Sequence, residues 1–136
     1  MSRALLLRIA AILCIITCLG HTVGTFMAIP DEQVAMKETV SIMQRTMVPM
    51  PVGTSRTYMQ ILDGNNLCTS LLLLLLGVIL FSIAPFPKTS MVDRVIGIAA
   101  VALTGFAVIS AIYFFPVPVV TTALASALSL FARTKS

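Results

Sequence analysis

Charge is scarce in this chain. Asp, Glu, Lys and Arg make up 10% of its residues, against roughly a quarter in an ordinary soluble domain. With 58% hydrophobic residues and a mean hydropathy of +1.03, that scarcity excludes a water-soluble globular fold. A single histidine, His21, excludes bis-histidine haem ligation by this chain alone. Three cysteines, Cys14, Cys18 and Cys68, fall inside apolar segments without metal-ligand spacing, so they read as packing residues rather than as a disulfide framework. Phosphate-binding glycine loops, nucleophile elbows, zinc-ligand clusters and nucleic-acid modules are missing as well. No reaction is written in the sequence.

What the sequence does contain is four long apolar runs. A bilayer core about 30 Å thick needs roughly 20 apolar residues per helical span, so four spans use up the 136 residues. They are expected at about 5–28, 58–84, 94–115 and 118–132, within a single transmembrane domain covering 1–136, with an external loop over 29–57. Pro85 and Pro87 end the second span, and Phe115-Pro116-Val117-Pro118 reads as the turn between the third and fourth. The expected fold is all-α: an integral-membrane four-helix bundle with an extra amphipathic helix in the first external loop.

Orientation follows from the basic residues of the connecting segments. Arg3, Arg8, Lys88, Arg94, Arg133 and Lys135 share one side with only Asp93, whereas Lys37, Arg45 and Arg56 share the other with Asp31, Glu32, Glu38 and Asp63. Short basic segments resist translocation, which puts both termini in the cytoplasm, of a bacterial inner membrane. The net charge of +4 then reflects topology and some attraction to anionic lipid, not a nucleic-acid partner. The first run is too long for a signal-peptide core and lacks a small-x-small cleavage site. Its Ile15-Ile16-Thr17-Cys18 stretch is a poor lipoprotein box, so an uncleaved anchor is expected.

In the external loop, Pro30-Asp31-Glu32 suits a helix start, and Met36, Val40, Met43 and Met47 recur on one helical stripe. This predicts an amphipathic helix that caps the outer end of the spans, with a mobile lid as the alternative. Pro49, Pro51 and Gly53 then read as an extended connector. The third and fourth spans carry small-residue seams, Gly97, Ala100, Thr104, Ala107 and Ala111 on one and Thr122, Ala125 and Ser129 on the other, which predict a close hairpin. From Val119 to Ala132 a helix is only about 21 Å long. A short span beside an uncharged turn predicts cover there from the loop helix or from a partner subunit.

Polar residues inside spans carry the most information, because lipid does not satisfy them. Asp63, Asn66 and Ser70 share one helical face, with Tyr58, Gln60 and Asn65 near it. His21, Thr22 and Thr25 lie at comparable depth on the first span. His21 and Asp63 are thus the candidate catalytic pair, and Thr22, Thr25, Tyr58, Gln60, Asn65, Asn66 and Ser70 the candidate ligand-binding residues. His21 has three readings: a proton-transfer group oriented by Asp63, a single axial ligand to a haem or chlorophyll-type pigment, or an interfacial histidine bonded to the neighbouring helix. Asp63 either marks where its helix leaves water or lines an outward-facing cavity with Gln60, Asn65 and Asn66. No metal site beyond His21 is indicated, and lipid is the expected bound molecule.

Gly20-His21-Thr22-Val23-Gly24-Thr25, with the later Gln60-Ile61-Leu62-Asp63-Gly64, resembles a family of uncharacterised small four-helix bacterial membrane proteins that carry a Gly-His-Thr-x-Gly motif at the end of the first span. The resemblance implies a four-helix bundle with a site around His21 and no particular activity. At fold level the architecture is also similar to DoxX-like and sterol-isomerase-like membrane proteins, without motifs that would transfer their residues. Two functions lead. One is a small accessory subunit of a larger membrane complex, with other membrane subunits as partners. The alternative is a membrane enzyme or binding protein for a lipid, quinone or isoprenoid at a His21/Asp63 site. A small transporter ranks below both, since no inverted repeat is visible.

Overall fold

The computed structural model describes residues 1–51 and 53–135; Val52 and Ser136 lie outside the described residues. In chain order the elements are α1 (Arg3–Phe26), α2 (Val34–Arg45), β1 (Met47–Pro49), β2 (Ser55–Thr57), α3 (Tyr58–Ile83), α4 (Ser90–Tyr113) and α5 (Pro116–Arg133). The fold is all-helical apart from one short hairpin, and α1, α3, α4 and α5 are each long and apolar enough to cross a membrane. Leu, Ile and Val side chains stand exposed along all four, from Ile12, Ile16 and Leu19 on α1 to Leu124 and Leu130 on α5. Only lipid is a suitable solvent for such a surface, which marks an integral membrane protein.

Local sequence sets the helix starts. Ser2 accepts a hydrogen bond from the Leu5 N–H at 3.3 Å, and Thr89 accepts one from the Val92 N–H at 3.2 Å. At α3 a full capping box forms: the Thr57 hydroxyl accepts from the Gln60 N–H at 3.2 Å while the Gln60 side chain accepts from the Thr57 N–H at 3.0 Å.

Side-chain contacts fix the relative directions of the helices. Arg3 at the start of α1 donates through Nη1 to the Phe86 carbonyl, just beyond α3, at 2.8 Å, and Lys88 donates to the Arg133 carbonyl at the end of α5 at 2.8 Å. Both termini and the α3–α4 loop therefore share one end, the termini end, and the α1–α3 connection and the α4–α5 turn share the other, the loop end. The core occupies the termini half: Leu6, Leu7, Ala10, Ala11 and Cys14 of α1 meet Leu80 and Ala84, Ile96, Ala99 and Leu103, and Ala125 and Ala132. Here α1 packs on α3 and α5, and α5 packs on α4, whereas α3 and α4 scarcely touch.

Small residues make the close approaches. A Cβ on Gly77 would lie 3.1 Å from both the Ala11 carbonyl oxygen and Ile15 Cγ1, so the glycine lets α3 lie near α1 without the crowding that a larger residue would bring. Between α4 and α5, the Thr104 and Ser126 hydroxyls lie 2.8 Å apart and each 2.9 Å from the Ala100 carbonyl oxygen. One hydroxyl donates to the carbonyl and the other to its neighbour, so the two helices share a satisfied polar contact.

Several local expectations are corrected. Pro116 and Pro118 lie inside the first turn of α5 rather than in the turn before it, since a proline at the first helical position forgoes an N–H that has no partner there anyway. Its 18 residues reach about 27 Å at 1.5 Å per residue, so α5 is not short for a span. Helix α2 starts at Val34 rather than at Pro30: the Gln33 N–H bonds the Pro30 carbonyl in a turn, and the Asp31 carboxylate pairs with Lys37. Met47 leaves the helical stripe for β1, and the expected extended connector is an antiparallel hairpin pairing Met47 with Thr57 and Pro49 with Ser55. Gly53 turns it at φ +72°, where other residues are strained. Of the cysteines, Cys14 and Cys18 are buried, but Cys68 is exposed on α3.

Candidate functional site

The packing that closes the termini half loosens toward the loop end. There the four long helices surround a cavity of about 490 Å³. Its walls are Ile16, Thr17, Gly20 and His21 of α1, Asn65, Asn66, Thr69 and Leu73 of α3, Phe106, Ile109 and Ser110 of α4, Phe114 and Phe115 of the turn, and Val117, Pro118, Thr121 and Thr122 of α5. Helical spacing explains the membership on α1 and α3: Thr17 and His21 are one turn apart on one face, as are Asn65, Thr69 and Leu73.

Most hydroxyls here are already engaged. Thr69 donates to the Asn65 carbonyl at 3.0 Å and Thr122 to the Pro118 carbonyl at 2.6 Å. Thr17 and Thr121 lie 2.7 Å apart across α1 and α5, with the Leu13 carbonyl 2.8 Å from the Thr17 hydroxyl. These bonds close within the protein. The imidazole of His21 is different: its Nε2 is buried and has no hydrogen-bond partner, while the ring stands edge-on to Phe114 with centroids 6.0 Å apart. A buried ring nitrogen without a partner forfeits the hydrogen bond it made in water, an unfavourable state that a bound molecule would relieve. Beside it, Asn65 and Asn66 bring carboxamides, which both donate and accept, to the same cavity.

The expected site residues divide into two groups. His21, Asn65 and Asn66 come together in the cavity wall. Thr22 and Thr25 turn back onto α1, donating to the Cys18 and His21 carbonyls at 2.9 Å each. Gln60 is taken up by the α3 capping box, and Tyr58 is exposed at the start of α3. Ser70 is buried one turn beyond Asn66, with its Oγ unpartnered, yet outside the cavity wall. Asp63 is half-buried and also outside it. Among the described residues no hydrogen bond or ion pair joins Asp63 to His21, and no group of three or more His, Cys, Asp or Glu could hold a metal ion. A macrocycle would find one axial nitrogen here, from His21, between phenylalanine walls.

Thr17 and Thr69 escaped sequence reasoning although their i, i+4 spacing to His21 and Asn65 would have found them. The α4 and α5 residues carry no such signal, since nothing along the chain says which face of those helices meets α1. A second, shallower groove of about 370 Å³ runs along α4 and α5, lined by Thr104, Ala107, Ala111, Ala123, Ser126 and Ala127, with Val108 and Leu130 at its edge. Compared with family models, with curated proteins and with solved structures, the chain matches none.

Proposed function

We propose that this protein is a membrane-embedded binding protein for an amphipathic lipid of the quinone or isoprenoid type, held in the cavity at the loop end. The carrying observation is the buried, unpartnered Nε2 of His21 in a pocket walled by Phe106, Phe114 and Leu73 and bordered by the Asn65 and Asn66 carboxamides. Pockets for small organic molecules have this composition: apolar walls and a few convergent polar groups. A carbonyl or hydroxyl head would meet the carboxamides and the imidazole, and aromatic walls would flank its ring or first isoprene units. Because among the described residues no hydrogen bond or ion pair joins Asp63 to His21, and Asp63 is outside the cavity wall, the reading is one of binding, with His21 as an anchor. Binding of a short-chain benzoquinone to the purified protein in lipid nanodiscs tests it. Losing one hydrogen bond to a buried group costs about 1–2 kcal/mol, so His21→Ala and Asn66→Ala should each weaken binding roughly tenfold. Unchanged affinity in both variants would sink the proposal.

We further propose that the protein is a four-helix bundle with both termini in the cytoplasm, in keeping with the six basic residues of the termini end against three in the loop-end connection. Helix α2 then lies along the outer membrane face as an amphipathic cap, its half-buried Val40 and Met43 on the side that meets α3. A second reading, an accessory subunit of a larger membrane complex, draws support from the alanine-lined groove on α4 and α5, since small residues let a foreign helix approach closely. Co-purification of stoichiometric partner chains in mild detergent, lost on Ala107→Leu, is the result that would favour it.

A further inference from the structure

The helices around the cavity are closed by extensive contact on three sides, α3 to α1, α1 to α5 and α5 to α4, and the fourth side, between α3 and α4, is only sparsely packed. At the termini end that side is pinned, because Leu80 and Ala84 share one core with Ile96 and Ala99. The gap therefore widens toward the loop end, where Thr69 and Leu73 face the cavity from one flank and Phe106 and Ile109 from the other. Depth decides what lies outside it. At 1.5 Å per residue, Thr69 is about 16 Å along α3 from its start, and Phe106 about 10 Å from the end of α4. An opening at that level meets acyl chains rather than water.

Charge decides what can lie inside. Among the described residues, no Asp, Glu, Lys or Arg lines the cavity. A phosphate or carboxylate head would shed its hydration there without meeting a cation, which lipid-embedded sites do not tolerate. Building on the binding reading above, we infer that the cavity opens sideways into the bilayer through a slot between α3 and α4, and that its ligand is a lipid with an uncharged head, whose tail runs out along that slot. The head bonds at His21, Asn65 and Asn66, and the tail joins the acyl chains beside the exposed Leu71, Leu72, Leu74 and Leu75 of α3.

Because the chain has no tryptophan, Phe106→Trp gives a single reporter on the slot wall, with Ile109→Trp as a second should the first not fold. Val101→Trp, on the lipid face of α4, is the reference. The full chain is reconstituted in phospholipid brominated at mid-chain, and geranylgeraniol or geranylgeranyl diphosphate is added. The slot reporter should lose at least half its emission to the brominated lipid and none to aqueous iodide. Geranylgeraniol should restore it, the diphosphate should not, and neither should change the Val101→Trp signal. Quenching by iodide alone would show a cavity open to water and overturn the sideways slot. Relief by the diphosphate alone would overturn the uncharged head. Bromine quenching that neither compound relieves would overturn the binding reading itself while leaving the opening in place.

Discussion

Gly77 and Gly105 sit in neighbouring long helices and ask opposite things of a side chain. A methyl group on Gly77 would press on the Ala11 backbone and on Ile15, whereas one on Gly105 would meet nothing within 4 Å. Gly77→Ala should therefore lower stability by about 1–3 kcal/mol through overpacking, and Gly105→Ala should hold or raise it by up to about 1 kcal/mol through helix propensity. Thermal unfolding of the two variants in the same detergent checks the sign. His21 separates a structural from a binding role in the same way. With Nε2 unpartnered, its fold contribution is an edge contact to Phe114, worth about 0.5–1.5 kcal/mol. His21→Ala should thus shift the melting temperature little while weakening ligand binding roughly tenfold.

At the scale of the element, α3 depends on its first turn to bring Asn65 and Asn66 to the right depth. Thr57→Ala removes one half of the capping box and should cost about 1 kcal/mol, seen as faster amide exchange confined to the first turn of α3. Pro116→Ala should be nearly silent, because that proline already occupies the first helical position of α5. Hydropathy made all four spans legible, since twenty apolar residues have few other uses. The start of α5 was not legible, because proline marks a turn and a helix start alike, and nothing along the chain announces the contact of Thr121 with Thr17 of α1. The hairpin of β1 and β2 hid behind Pro49 and Pro51. The polar core of the candidate site was readable from residues stranded in apolar runs: His21, Asn65 and Asn66. The rest, Phe106, Phe114 and Thr121 among it, consists of ordinary membrane-helix residues whose role depends on which helix lies opposite.

For the whole molecule, the proposed sidedness has a direct check. In a variant with Cys14, Cys18 and Cys68 replaced by alanine, a cysteine at Glu38 should react with an impermeant maleimide in intact cells, and one at Lys135 only after lysis. Labelling of Lys135→Cys from outside would reverse the orientation. The packing order also bears on how the protein is made. Of the four long helices α1 is synthesised before the rest, yet it needs α5, the last of the four, to cover the face that carries Thr17. Until then α1 is held chiefly by α3, through the Gly77 seam and the Arg3 bond to the Phe86 carbonyl. Assembly thus waits on the helix made after the other three, and a ribosome that stalls between α4 and α5 leaves a span whose small, polar flank stays open to whatever helix drifts past.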